Sequence, residues 1–148
     1  LTTTKDLVES NGTGKNMSKS KLKEYDGKLT DVELELMTIL WKLSEGSVSD
    51  VMELLPKNRD LAYTSVSTIL RILEQKGVLK TRKEGRGHIY IPALKKSDYE
   101  SRTVKDVVER VFQGTPVALV KQLLDSFKIN ESEVEEIKKL IKKLDEKK

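Results

Sequence analysis

Residues 62–92 read AYTSVSTILRILEQKGVLKTRKEGRGHIYIP. The first half places Val66, Ile69, Leu70 and Leu73 at the i, i+3, i+4, i+7 spacing of one helix face. The other face carries Tyr63, Thr64, Ser65, Ser67, Thr68 and Arg71, all able to donate or accept hydrogen bonds. Gly77 follows Lys76 and predicts a helix stop, because glycine takes positive φ without steric cost. Residues 79–84 and 88–91 then read as two short strands, with Gly85, Arg86 and Gly87 as the turn and Pro92 as the end. A polar-faced helix therefore runs straight into a basic hairpin. That order predicts the recognition helix and wing of a winged helix-turn-helix.

Working outward, the 148 residues suit one domain, or a small domain with an oligomerising tail. The sequence has no cysteine, which removes disulfides, zinc-thiolate sites and thiol redox chemistry. No apolar run approaches the length of a membrane span, and no secretion signal is evident, so a reduced cytoplasm is the expected compartment. Charged residues make up 35% of the chain and aromatics 5%, which predicts a solvated helical protein with a small core that gains stability from a partner surface.

Charge is unevenly distributed. Residues 56–97 hold ten Lys/Arg against three Asp/Glu, net +7, residues 28–55 hold two against six, net −4, and residues 98–148 balance at eleven each. The positive charge thus falls on the proposed helix and hairpin, where it would attract a polyphosphate.

Residues 1–27 are poor in apolar side chains and predict a disordered tail, with anything before Met17 read as vector-derived or upstream sequence. Thr30 and Glu33 match a capping box, and Leu29 with Leu34 a hydrophobic staple, at the start of a helix over 31–43. Its apolar side chains are Leu34, Met37, Ile39, Leu40, Trp41 and Leu43, with Trp41 expected against the recognition helix and Gly46 as the stop. Ser47 caps a second helix, 48–55, with Val51, Met52, Leu54 and Leu55 inward and Pro56 ending it. These elements give a winged-helix domain over 28–96.

Residues 97–148 read as a helical dimerisation domain. Ser97 and Glu100 suggest a capping box for a helix over 98–112, which Gly114 stops. Thr115 and Pro116 fit the N-cap and first position of the next helix, and Asn130 with Glu133 caps the last. Val134, Ile137, Ile141 and Leu144 alternate steps of three and four, the seam of a coiled-coil-like contact. Val104, Val107, Val108, Val111, Leu123 and Leu124 add apolar surface for which no separate core is available.

Catalysis finds little to work with. The lone histidine, His88, sits on the second hairpin strand without a candidate base or nucleophile beside it. Glu131, Glu133, Glu135 and Glu136 suit the positive end of a helix dipole rather than a metal, and the EGRG turn lacks the strand-to-helix setting of a phosphate loop. Neither an enzyme nor a cofactor site is expected. Double-stranded DNA is better served. Short hydroxyl side chains at Thr64, Ser65, Ser67 and Thr68 let a helix approach base edges, and Lys80, Arg82, Lys83 and Arg86 suit flanking phosphates or the minor groove.

At this point the stretch over 62–92 resembles the core of the BlaI/MecI/CopY family of penicillinase-type repressors, with its YTTV-T-LL-RL-KG pattern and GR-Y-Y-P wing. LTDVELELMTILW, starting at Leu29, is similar to that family's first helix, and the tail from Tyr99 through VFQGTPVALV also fits. The resemblance covers residues 28 to about 144. It implies a homodimeric repressor on an inverted-repeat operator, with DNA contacts at Tyr63, Thr64, Ser65, Ser67 and Thr68, and a regulatory protease or other signal as further input. Three departures stand out. The Cys-X-Cys cluster of copper-responsive members is absent; the Asn-Phe bond cleaved in β-lactam-responsive members aligns with Asp106 and Val107; and His88 replaces a wing aromatic. The alternative is a winged-helix protein-interaction module that does not read DNA. It would expose apolar groups on the third helix, where this chain carries Thr, Ser and Arg.

Overall fold

A computed structural model describes residues 27–147, so the tail expected over 1–27 lies outside the described residues except at Gly27. The chain runs α1 (Asp31–Leu43), α2 (Val48–Leu54), α3 (Tyr63–Gln75), β1 (Leu79–Glu84), β2 (Gly87–Pro92), α4 (Lys96–Val111), α5 (Pro116–Ser126) and α6 (Glu131–Glu146). Among the described residues it is mostly helical with one antiparallel hairpin, in winged helix-turn-helix order, as the sequence predicts. Two units are distinguished, Leu1–Thr103 and Val104–Lys148.

In the first unit, three helices and the hairpin bury one apolar cluster. Leu36, Met37 and Leu40 of α1, Val51 of α2, and Val66, Leu70 and Leu73 of α3 are fully enclosed, joined by Val78, Leu79 and Tyr90. Burying a side chain of this size is worth about 1.5–3 kcal/mol, so the α3 stripe anchors the helix far more firmly than its helix propensity could. Ile69, the fourth residue of the predicted stripe, is only partly covered. Leu36 lies outside the predicted α1 face yet is completely buried, whereas Leu54, predicted inward, is half exposed, because α2 ends there and Leu55 turns into the core instead.

Helix ends follow the sequence closely. Thr30 caps α1, Ser47 caps α2 and Asn130 caps α6, each in a reciprocal capping box with the acidic residue three positions on. At the end of α3, Gly77 takes φ +84, its N–H donates to the Glu74 carbonyl, and the Val78 N–H donates back to Leu73 at 2.9 Å. This Schellman pattern brings the buried Val78 and Leu73 together and sets the direction of β1.

Two expectations are corrected. Gly46 does not stop α1. Ser44 does so at φ +73, and Gly46 instead exchanges two backbone hydrogen bonds with Tyr90, at 3.0 and 2.8 Å. A Cβ at Gly46 would lie 3.2 Å from both Asp50 Cβ and Leu43 Cδ1, so the close approach suits glycine. Ser97 does not cap α4, which begins at Lys96 with the Tyr99 N–H donating to the Lys95 carbonyl. Trp41 donates from its indole N–H to the Leu94 carbonyl at 2.9 Å and faces the Tyr99 ring at 6.1 Å, so it holds the segment after the wing. Tyr99 in turn accepts from the Leu29 N–H at 3.2 Å.

Among the described residues of this unit the buried charge is Glu33. One oxygen accepts from the Thr30 N–H at 2.9 Å, and the other meets Lys76 Nζ, also at 2.9 Å, at the C-cap of α3. Burial pushes the Glu33 carboxyl up, but the bonds from Lys76 and Thr30 outweigh it and hold it below its ordinary value of 4.5. A carboxyl depressed by folding stabilises above its unfolded pKa, and that contribution is lost as pH falls through the lower folded value. Lys76→Met should therefore cost about 1–3 kcal/mol near neutral pH by leaving the buried oxygen short of a donor. Thr30→Ala should cost about 1 kcal/mol. Urea melts from pH 7 to 3 check both. Wild type should lose stability in acid below about pH 4.5, and Lys76→Met should show a shallower loss over the same range.

Candidate nucleic-acid interface

With Val66, Leu70 and Leu73 held inward, α3 must turn its other side to solvent. At about 100° per residue, Thr64, Thr68 and Arg71 fall within roughly 60° of one another, opposite the stripe. Tyr63, Thr64, Ser65, Thr68 and Arg71 are exposed, while Ser67 is half-buried at the flank. The Thr68 hydroxyl donates to the Thr64 carbonyl at 2.9 Å. Its proton is thereby committed, its lone pairs remain for an outside donor, and its methyl is held in place. Ala62 offers no side-chain cap, so the first-turn N–H groups of α3 keep their capacity for an outside acceptor such as phosphate.

The hairpin stands beside this face. Its register pairs Leu79 with Pro92, Thr81 with Tyr90, Lys83 with His88 and Glu84 with Gly87. The turn is thus two residues, Gly85 and Arg86, rather than three, and Gly85 supplies φ +61 at the first central position. Burial raises the Tyr90 hydroxyl above its ordinary value; Glu74 and Tyr63 act in the same direction and Arg71 opposes them, so the root of β2 and the solvent side of α3 share one electrostatic neighbourhood.

Lys80, Lys83, Arg86 and His88 are exposed on the hairpin. Among the described residues no ion pair engages Lys83 or Arg86. Arg82 differs from them. Its guanidinium makes a two-pronged bond to Glu45, Nη1 to Oε1 at 2.9 Å and Nη2 to Oε2 at 2.8 Å, with Glu84 at 3.3 Å. The Arg82 bonds hold the Glu45 carboxyl below its usual range, and Glu45 raises Arg82. Glu45 has no local sequence signal for this role, since its partner lies 37 residues away.

The second unit has a different surface. Neither α5 nor α6 buries a residue. Of the apolar side chains expected at a dimer contact, Val104, Val111, Leu123, Leu124, Val134, Ile141 and Leu144 are exposed, Val107 and Ile137 are half-covered, and Val108 is buried. Val120 and Phe127, also apolar positions of this tail in the sequence, are exposed, as are Val117 and Leu140. Asp106 and Val107 lie inside α4, where Arg110 grips the Asp106 carboxylate at 2.7 to 2.9 Å. Among the described residues no cluster of His, Cys, Asp or Glu is arranged to hold a metal, and no helix is long and apolar enough to cross a membrane.

The family model described as "Penicillinase repressor" matches residues 29–143. The chain is 29% identical over 113 residues to the penicillinase repressor of Bacillus licheniformis, covering 76% of this chain and 88% of that protein. It is 24% identical over 115 residues to the methicillin resistance regulatory protein MecI of Mammaliicoccus sciuri, covering 78% and 94%. Among solved structures it is similar to the DNA-binding domain of the repressor BlaI, at 36% identity over 49% of this chain and 89% of that one, with a TM-score of 0.44. The match runs through the winged helix and on into α6, so the chain belongs to the penicillinase repressor family, whose members are transcriptional repressors rather than enzymes.

Proposed function

We propose that this protein represses transcription as a homodimer on an inverted-repeat operator, with α3 in the major groove and the wing on flanking phosphates. The observation that carries the reading is the two-sidedness of α3. Val66, Leu70 and Leu73 are fully buried, the opposite face presents Thr64, Ser65, Thr68 and Arg71, and the hairpin that follows exposes Lys83 and Arg86. A protein-docking helix would present apolar groups there; Tyr63 and Ile72 are the large apolar side chains exposed on α3. The winged-helix domain, residues 28–96, reads DNA, and residues 97–148 pair two copies. The relatives' names support repression of a resistance-type gene. The place of action is the compartment that holds the DNA, the cytoplasm of a bacterial cell. A regulatory protease acting at Asp106–Val107 would have to open α4 locally and break the Asp106–Arg110 pair.

Base contacts specify and phosphate contacts position. Thr68→Ala and Ser65→Ala should each weaken binding to a selected duplex by roughly 1–3 kcal/mol while leaving random-sequence DNA nearly unaffected. Titration of both duplexes checks this, and equal losses would assign the hydroxyls to phosphate. Arg86→Ala should weaken both duplexes alike. It should also lower the slope of log affinity against log salt by roughly 0.9 for each phosphate left without its cation, about twice that in a dimer.

Pairing is tested separately. Leu124→Glu with Ile141→Glu places charge on two exposed apolar positions of α5 and α6. Sedimentation should show a monomer, and affinity for a duplex with two half-sites should fall by roughly 10²- to 10⁴-fold toward that for one. A variant that remains dimeric would place the pairing surface elsewhere.

A further inference from the structure

Arg82 and Glu45 stand apart from the other hairpin charges. Glu45 lies between Ser44, in its positive-φ turn, and Gly46, whose backbone is bonded both ways to Tyr90 of β2. The Glu45 side chain is bonded through both oxygens to Arg82 of β1. One short loop therefore grips both strands of the hairpin. Beyond it, Lys83 and Arg86 are carried on a projecting ribbon of two strands, an element with little stability of its own. From the Thr81–Tyr90 pair, where Gly46 holds the ribbon, to the turn at Gly85 it spans about 14 Å, at roughly 3.4 Å per residue. A tilt of about 10° there would move the tip by about 2.4 Å, enough to break a hydrogen bond to phosphate. With Glu45 and Glu84 both on its guanidinium, Arg82 sits in a group of net charge −1, a poor place for a phosphate oxygen.

We propose that Arg82 is a positioning residue: clamped to Glu45, it fixes the tilt of the wing and so delivers Lys83 and Arg86 to the DNA backbone, without itself contacting DNA. This rests on the DNA-binding reading above and assigns Arg82 differently from the other hairpin cations.

The test exploits a conflict of sign. Glu45→Gln removes a negative charge beside the proposed DNA surface, so by charge alone it should tighten binding. By positioning it should weaken binding. The full-length protein is titrated, by fluorescence anisotropy over a range of salt, on a duplex that wild type has enriched from a random-sequence library. Glu45→Gln and Arg82→Met should each weaken binding about two- to fivefold, the scale of one exposed ion pair. Both should flatten the salt dependence as Lys83 and Arg86 swing away from the phosphates. The exchange Glu45→Arg with Arg82→Glu restores the pair at unchanged net charge and should return affinity and slope to near wild type. Tighter binding and a steeper slope in Glu45→Gln would overturn the proposal by showing that Glu45 masks a phosphate-contacting arginine. An exchange variant that folds, by circular dichroism, but stays as weak as Arg82→Met would overturn it too. Failure of wild type to enrich any duplex would instead defeat the DNA-binding reading, and the proposal with it.

Discussion

One side of α3 must be dry, and the rest of the first unit follows from that. Val66, Leu70 and Leu73 cannot be left in water without forfeiting several kcal/mol, and a helix has only one other side to show. Leu36, Met37 and Leu40 of α1 and Val51 of α2 enclose the stripe, and Val78 and Leu79 close it where the chain leaves the helix. The proposed interface is therefore a by-product of the core. The polar side chains of α3 face outward because their neighbours three and four positions away are held fast.

Around that constraint sit a few polar fastenings, each joining segments distant in sequence. Glu33 caps α1 with one oxygen and holds the C-cap of α3 with the other. Gly46 gives β2 a second strand-like neighbour, on the side away from β1. Trp41 and Tyr99 tie the segment after the wing back to α1 and its leading residue. The fastenings differ in strength. Glu33 is buried, so removing a partner there strands a desolvated carboxylate; the Arg82–Glu45 pair is open to water and screened by salt, so its value lies in geometry rather than stability.

This division explains what is legible in the sequence. Features set within three or four residues can be read there: the capping boxes at Thr30, Ser47 and Asn130, the glycine turn after α3, and the alternation of faces along α3 itself. The outward face of α3 is legible for the same reason, since a helix face is a local property; only Ser67 is half-covered where full exposure is expected. Local signals are not infallible, since the Ser97 and Glu100 pair reads as a cap yet falls inside α4; most of what escapes is set by tertiary pairing. Gly46 carries the signature of a helix stop, and nothing near it announces a bridge to Tyr90. Glu33 reads as a capping residue, and its second oxygen finds Lys76 only once the fold brings α1 and α3 together. Arg82 reads like any other wing cation because Glu45 lies on another loop.

The two units solve opposite problems with the same kinds of helix. The first has enough enclosed apolar surface to hold its helices in place. In the second, α5 and α6 begin with well-formed local signals, a proline at the first turn and a full capping box, yet neither buries a side chain. Helices of 11 and 16 residues are marginal in water on propensity and caps alone. Their stability has to come from an apolar face that finds cover, and Leu123, Leu124, Phe127, Ile141 and Leu144 provide that face. In the proposed dimer a second copy supplies that cover, because identical surfaces can satisfy one another about a two-fold axis. The same axis would place two copies of α3 in related orientations, which is the symmetry an inverted repeat presents. Pairing and reading are then joined by physics: the surface that the second unit cannot bury alone is what would turn one polar helix face into two.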